Sequence, residues 1–250
     1  MAADDQPEHP VYKLAALDQE FILGDSMRGA RFMMEYAKAE EFLRRERVRT
    51  TLVAFGSARI REDGNPWQAR TYAAARTFGR IASERGGALC EDGQWRDNVI
   101  ATGGGPGIME AANRGARDAG AVTIGFNIQL PHEQAPNPYI TSQLSFQFHY
   151  FAMRKMHLAM RARALVIFPG GFGTMDELFE LLTLSQTGKG HHMPVVLYDR
   201  DFWTRIINFE ALADAGVISP DDLKLFEFAD DPEEAWESLL RLGLEVPPKP

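Results

Sequence analysis

The apolar run Ala164-Leu165-Val166-Ile167-Phe168 leads directly into Pro169-Gly170-Gly171-Phe172-Gly173-Thr174-Met175-Asp176-Glu177, and that order leaves few folds open. The run predicts a short buried strand, and Thr174 to Gly188 predicts a helix with Leu178, Leu181, Leu182 and Ser185 along one side. A strand, a glycine loop and a helix N-terminus therefore follow one another. Such a loop exposes backbone N–H groups and the helix adds partial positive charge, so an anion is favoured there without any basic side chain.

The same alternation begins upstream. Strands are predicted at Thr51 to Phe55, Asn98 to Thr102 and Ala121 to Phe126, with helices at Pro66 to Arg85 and Gly107 to Ala119. This βαβαβ order implies a parallel sheet with right-handed crossovers. Further along come a strand at Leu144 to Phe148, a helix from Tyr150 to Arg163, a strand at Val195 to Tyr198, and helices at Phe202 to Ala215 and Pro232 to Leu242. The expected fold is α/β and Rossmann-like: three layers, with a mainly parallel sheet and helices on both faces. Residues 51–246 form that domain. Residues 1–50 are an N-terminal extension whose Ser26 to Val48 segment predicts an amphipathic helix lying across it, and residues 247–250 are a loose tail.

Composition removes several classes of function. At 250 residues and 45% hydrophobic, the chain can bury one complete core. A net charge of −8 argues against a general nucleic-acid binder, while a small anionic ligand stays compatible with it. A single cysteine, Cys90, permits no intrachain disulfide and no cysteine-cluster metal site, as expected of a reducing compartment. With neither a signal-like N-terminus nor an apolar run long enough to span a bilayer, the expectation is a cytoplasmic protein without membrane partners. The histidines form no metal pattern: His191-His192 sits in a glycine loop, and His149 and His157 are unaccompanied by H-E-x-x-H.

A second glycine-rich loop, Thr102-Gly103-Gly104-Gly105-Pro106-Gly107-Ile108-Met109-Glu110, also follows a strand. In an open α/β sheet both loops emerge at the carboxyl edge, where they can face one pocket; each is equally a tight strand-to-helix turn. Neither is a dinucleotide or triphosphate signature, because Gly103-x-Gly105-x-Gly107 lacks G-x-G-x-x-G spacing and no G-x-x-x-x-G-K-[ST] occurs. A monophosphate needs fewer donors, and the loops with the Ser57 and Thr174 hydroxyls would suffice. Glu177 carries two readings. Thr174-x-x-Glu177 is a capping box, but a first-turn carboxylate kept ionised by the helix dipole can also stabilise a developing cation. Asp176 points about a quarter-turn away, toward solvent or a supporting role. Arg154-Lys155, two cations near a helix start, oppose that helix's dipole and call for a nearby anion.

Gly103 to Asn113, Arg154-Lys155 and Pro169 to Glu177 together resemble the LOG (Lonely Guy) family, long labelled lysine decarboxylase, over about Thr51 to Phe209. The resemblance implies a phosphoribohydrolase that cleaves the N-glycosidic bond of nucleoside 5′-monophosphates, AMP or cytokinin riboside 5′-monophosphates, with no cofactor and no metal. By the same resemblance Arg154 and Glu177 are the catalytic pair. Gly103, Gly104, Gly105 and Gly107, with Gly170, Gly171, Phe172, Gly173, Thr174, Met175 and Asp176, belong to the turns that bind the substrate and its phosphate. Glu133, Lys155 and Thr183 match ligand-binding positions, and Gly56 and Ser57 match the loop bordering the nucleotide. A homodimer or larger assembly with its pocket near the subunit interface is implied as well. The long N-terminal segment and the Gly87 to Asp97 excursion depart from the compact pattern. A non-catalytic nucleotide or molybdenum-cofactor carrier is the competing expectation; a pyridoxal phosphate decarboxylase lacks a suitably placed lysine.

Overall fold

The structure, a computed structural model, describes residues 9–90, 93–130, 135–189 and 193–247. Among these residues seven strands form one sheet: β1 Thr51–Phe55, β2 Val99–Thr102, β3 Ile124–Ile128, β4 Ser145–Phe148, β5 Ala162–Ile167, β6 Val195–Tyr198 and β7 Phe226–Ala229. Every pairing is parallel, and the spatial order is β4-β3-β2-β1-β5-β6-β7. The chain therefore builds outward from β1 to one edge, crosses back to lay β5 beside β1, and builds outward again. Between β1 and β5 the direction of winding reverses, which opens a crevice at the carboxyl ends of those two strands.

Alternation along the strands makes the three layers, because successive side chains point to opposite faces. Val53, Phe55, Leu165, Ile167, Val195 and Leu197 pack on one face with residues of α2 Arg28–Arg45, α5 Phe151–Met160, α6 Phe172–Gln186, α7 Arg200–Ile206 and α8 Phe209–Asp214. Leu52, Ala54, Ile100, Ala164, Val166 and Val196 face the other way, onto α3 Pro66–Arg85, α4 Ile108–Asp118 and α9 Pro232–Arg241. Both faces are covered, so the central strands are apolar throughout rather than alternating with polar residues.

Several boundaries differ from the sequence expectation. β3 starts at Ile124, not Ala121, because ladder pairing with β2 begins at Ala101↔Ile124. The helix expected to run to Arg163 ends at Met160: Ala162 pairs with Thr51, and tertiary pairing overrides the helical pattern. The single helix expected over 202–215 is two, broken at Ile207 and Asn208, whose side chain accepts from Ala211 N and caps α8. Strand β7 and the short turns before residue 28, α1 Gln19–Leu23 among them, have no counterpart in the sequence pattern. The helix expected over Ser26 to Val48 runs as α2 from Arg28 to Arg45, with Ala39, Glu40 and Leu43 buried. Glu133 and the His191-His192 pair lie outside the described residues. Among the described residues no helix is long and apolar enough to cross a membrane.

A buried polar network holds the loop after β2. Asn113, on α4, accepts from Thr102 Oγ1 at 2.7 Å and from Asn137 Nδ2 at 2.9 Å, and donates to Thr123 Oγ1 at 2.6 Å. Thr102 Oγ1 in turn receives the Gly104 N–H, while Asn137 Nδ2 donates to the Gly104 and Gly105 carbonyls. Asn113→Ala would remove the bonds that tie Thr102, Asn137 and Thr123 together, although each keeps a backbone partner. We expect it to lower stability by about 2–4 kcal/mol in urea unfolding, well above the cost of an exposed substitution.

Candidate active site

The crevice between β1 and β5 is closed at its base by the strands themselves. Phe168 N donates to Phe55 O at 2.8 Å, and Ser57 N donates to Pro169 O at 3.0 Å, so the loop after β1 and the loop after β5 continue the ladder beyond the sheet. Above them lies a cleft of about 570 Å³, lined by Phe55 to Arg59, Met109, Phe151, Arg154 and Gly171 to Glu177. Clefts of about 410 and 620 Å³ elsewhere have polar linings that already pair internally: Trp67 Nε1 donates to Asp199, and the Tyr72 hydroxyl to Glu110.

Helix α6 begins at Phe172, with Gly171 as its N-cap and no side chain capping it. Thr174 is therefore the third helical residue and not the cap, and its N–H donates to Gly171 O at 3.0 Å. Gly170 lets this turn close, since a Cβ there would collide with the Thr174 hydroxyl. Glycine is a weak helix former, so the pattern of the sequence places the helix start after Gly173; the structure begins it two residues earlier, where first-turn N–H groups need no intrahelical partner. The capping box is consequently not formed. Glu177 stands in the second turn, out of reach of a capping role.

What surrounds Glu177 is instead a buried opposition of charges. It is 3% exposed, and its Oε1 makes no hydrogen bond among the described residues. Arg154 Nη1 approaches that oxygen to 3.6 Å, too far for a hydrogen bond. Burial pushes the Glu177 pKa up to about 7, against the pull of Arg154 and Lys155. This corrects the expectation that the helix dipole keeps it ionised, because in the second turn desolvation outweighs the dipole.

Arg154 is itself only 8% exposed. Its Nε donates to Phe126 O at 2.9 Å, and its guanidinium lies 5.8 Å from the Phe55 ring centre. Burial lowers its pKa, while Glu177 and Asp176 oppose that shift. Gly103 makes room for it: a Cβ at that position would lie 2.7 Å from Nη2 and 2.9 Å from Met109 Sδ. Gly103 thus stands behind Arg154 and does not itself line the cleft, which Met109, in the first turn of α4, does. The other end of the glycine loop, Pro106 and Gly107, borders the neighbouring cleft with Ala58, and Gly104 (φ +76°) and Gly107 (φ +72°) hold left-handed conformations that favour glycine.

The remaining sequence-expected positions separate into two groups. Gly56, Ser57 and Gly171 to Asp176 line the cleft with the catalytic candidates. Lys155 does not: its ammonium sits 2.8 Å from Asp176 and 2.9 Å from Glu180, so the anion that compensates it belongs to the protein. Burial works against its charge, but those two carboxylates hold its pKa above the usual value. With Thr183, whose hydroxyl donates to Phe179 O, it lines a separate depression on the outer side of α6. Phe151 and Met109, for which the sequence predicts no role in the site, also line the cleft; no local pattern distinguishes a helix-start aromatic that faces a cavity from one that packs.

Comparison with known proteins agrees with this architecture. Residues 109–239 match a family model described as possible lysine decarboxylase. The cytokinin riboside 5′-monophosphate phosphoribohydrolase LOG of Oryza sativa subsp. japonica is 30% identical over 208 residues, covering 82% of this chain and 76% of that protein. Among solved structures, the X-ray structure of TM1055 superposes with a TM-score of 0.53 at 21% identity, covering 77% of this chain and 99% of that one, a likeness of fold alone. A molybdenum cofactor binding protein from Rippkaea orientalis, at a TM-score of 0.49 and 18% identity over 78% of this chain and 96% of its own, is too distant to bear on function.

The ionisation of Glu177 has a measurable consequence. With a folded pKa of about 7 against an ordinary 4.5, the folded chain retains a proton that the unfolded chain releases between those values. This contribution favours the fold at low pH and is lost as pH rises through 7, in total about 3 kcal/mol. Glutamine resembles the protonated form, so Glu177→Gln should gain on the parent by about 3 kcal/mol between about pH 4 and about pH 8 in denaturant unfolding.

Proposed function

The chain belongs to the LOG family, whose model is described as possible lysine decarboxylase, and on that premise we propose that it hydrolyses the N-glycosidic bond of nucleoside 5′-monophosphates, releasing free base and ribose 5-phosphate. AMP and cytokinin riboside 5′-monophosphates are the substrates proposed. The observation that carries this reading is Glu177, a buried carboxyl with an unbonded oxygen, opposed to a buried guanidinium at the floor of the cleft. Rupture of a ribosyl C1′–N bond develops oxocarbenium character, which an ionised carboxylate at fixed position stabilises while it orients the attacking water.

The phosphate has its own place in the scheme. The uncapped N-terminus of α6 offers backbone N–H groups and partial positive charge, with Arg154 alongside to balance the added anion. Held there, the phosphate supplies binding energy that keeps the ribose in reactive geometry, which favours monophosphates over nucleosides. Lys155, held as an ammonium between two carboxylates, does not favour Schiff-base chemistry, which needs a free amine.

The enzyme is further proposed to assemble as a homodimer or larger homo-oligomer, located in the cytoplasm. Phe172 is 93% exposed and Phe179 40%, an apolar surface beside the cleft mouth. Sedimentation should give more than the monomer mass, and Phe179→Asp should return the monomer; a monomeric parent would defeat the proposal.

Incubation with AMP, other nucleoside monophosphates and a cytokinin riboside 5′-monophosphate should yield base and ribose 5-phosphate by chromatography. Glu177→Gln should lower turnover about 100-fold or more, and the kcat/KM of the parent should rise with pH through about 7 as Glu177 ionises. Folded protein that binds these nucleotides or a molybdenum cofactor and releases no base would instead be a carrier.

A further inference from the structure

The N-terminal helix α2 precedes the family-matched residues 109–239, and it grips α5 at both ends. Helix α5 has no side-chain cap of its own and no acidic residue in its first turn, although Arg154 and Lys155 stand near that positively polarised end. The missing carboxylate comes from α2. Glu35 Oε1 accepts the His149 N–H at 2.8 Å, and Oε2 accepts that of Tyr150 at 3.3 Å. Arg31 Nε adds a bond to the Tyr150 hydroxyl at 2.9 Å, and the Phe32 ring meets the Tyr150 ring edge-on at 4.3 Å between centres.

At the far end the grip is ionic and buried. Arg161, the residue that closes α5, pairs with both carboxylate oxygens of Glu40, whose pKa is lowered by that bond against the opposing effect of burial. Between the two ends, Tyr36 stacks on the fully buried His157 at 5.5 Å.

From this geometry we infer that α2 is a built-in clamp on α5, and that Glu35 is a positioning residue that sets Arg154 against Glu177. Arg154 is one turn beyond the peptide groups that Glu35 holds, and its own N–H donates to Tyr150 O at 3.2 Å. A carboxylate from outside the helix therefore fixes the turn that aims the guanidinium. It also offsets the repulsion between two clustered cations and the helix end. The inference rests on the phosphoribohydrolase reading for its kinetic consequence, though not for its structural one.

The test uses the full chain and three variants: Glu35→Ala, Glu35→Gln, which keeps one acceptor, and Lys38→Gly, which weakens the exposed face of α2 without touching α5. Amide hydrogen exchange over residues 149–154 should quicken about tenfold in Glu35→Ala, partly recover in Glu35→Gln and stay near the parent in Lys38→Gly. With AMP, kcat of Glu35→Ala should fall about tenfold while KM changes less than about threefold, since a displaced Arg154 fails in the transition state. Unchanged exchange overturns the clamp, and so does an unchanged kcat or an equal loss in Lys38→Gly. A parent that cleaves no nucleotide overturns the hydrolase reading, and the exchange result then decides the clamp by itself.

Discussion

The parallel pairing of β1 with β5 is the constraint on which the rest of the molecule depends. These strands are far apart in sequence, and their ladder runs from Thr51↔Ala162 to Phe55↔Ile167 before passing into the loops through Phe168 and Ser57. Because β5 lies beside β1 and not beside β4, the sheet winds in two directions, and helices after β1 and β5 leave on opposite faces. The crevice is what remains between them. Every residue of the candidate pair depends on that placement: Arg154 arrives on the helix that leads into β5, and Glu177 on the helix that leaves it.

Within the crevice, desolvation decides the chemistry more than the helix dipole does. A dipole acts over the first turn, and Glu177 is one turn beyond it in a site that excludes water. The result is a carboxyl whose pKa lies near neutrality, and a buried arginine that faces it at 3.6 Å, beyond hydrogen-bond reach. Two imperfectly matched charges are a cost to the fold, in the way that functional sites concentrate perturbed groups. Nearby pairs are better matched: Lys155 with Asp176 and Glu180 beside the cleft, and Arg161 with Glu40 at the far end of α5.

Much of this was legible in the residues. The alternation of apolar runs and glycine loops predicts the parallel sheet, and Pro66 to Arg85 is a helix with the boundaries its pattern predicts, because Asn65 caps it and Pro66 opens it. The Gly103 and Gly171 loops fall at carboxyl ends of strands as their order requires. Less legible were elements whose extent depends on a neighbour. β5 begins at Ala162 because Thr51 is there to pair with it, and β7 forms against β6 from Phe226-Glu227-Phe228-Ala229, too short a run to stand out. Glu35 gave no local signal at all, since its partners are more than a hundred residues away.

The sequence by itself determined the class of fold, because strand alternation, glycine turns and helix periodicity are local properties, and its motifs carried the resemblance to the family and the candidate site residues with it. The start of α6, the loss of the capping box and the state of Glu177 were decided only in the tertiary structure. A glycine in a first helical turn reads as a breaker until the strand before it sets the exit of the chain, and a carboxyl reads as ionised until its surroundings remove the water. The resemblance makes Lys155 and Thr183 ligand-binding positions, and the structure places Lys155, on α5, and Thr183, on α6, in a depression along the outer side of α6. Which charges meet, and how dry the place is where they meet, follow from contacts between segments distant in sequence, and no window of sequence contains them.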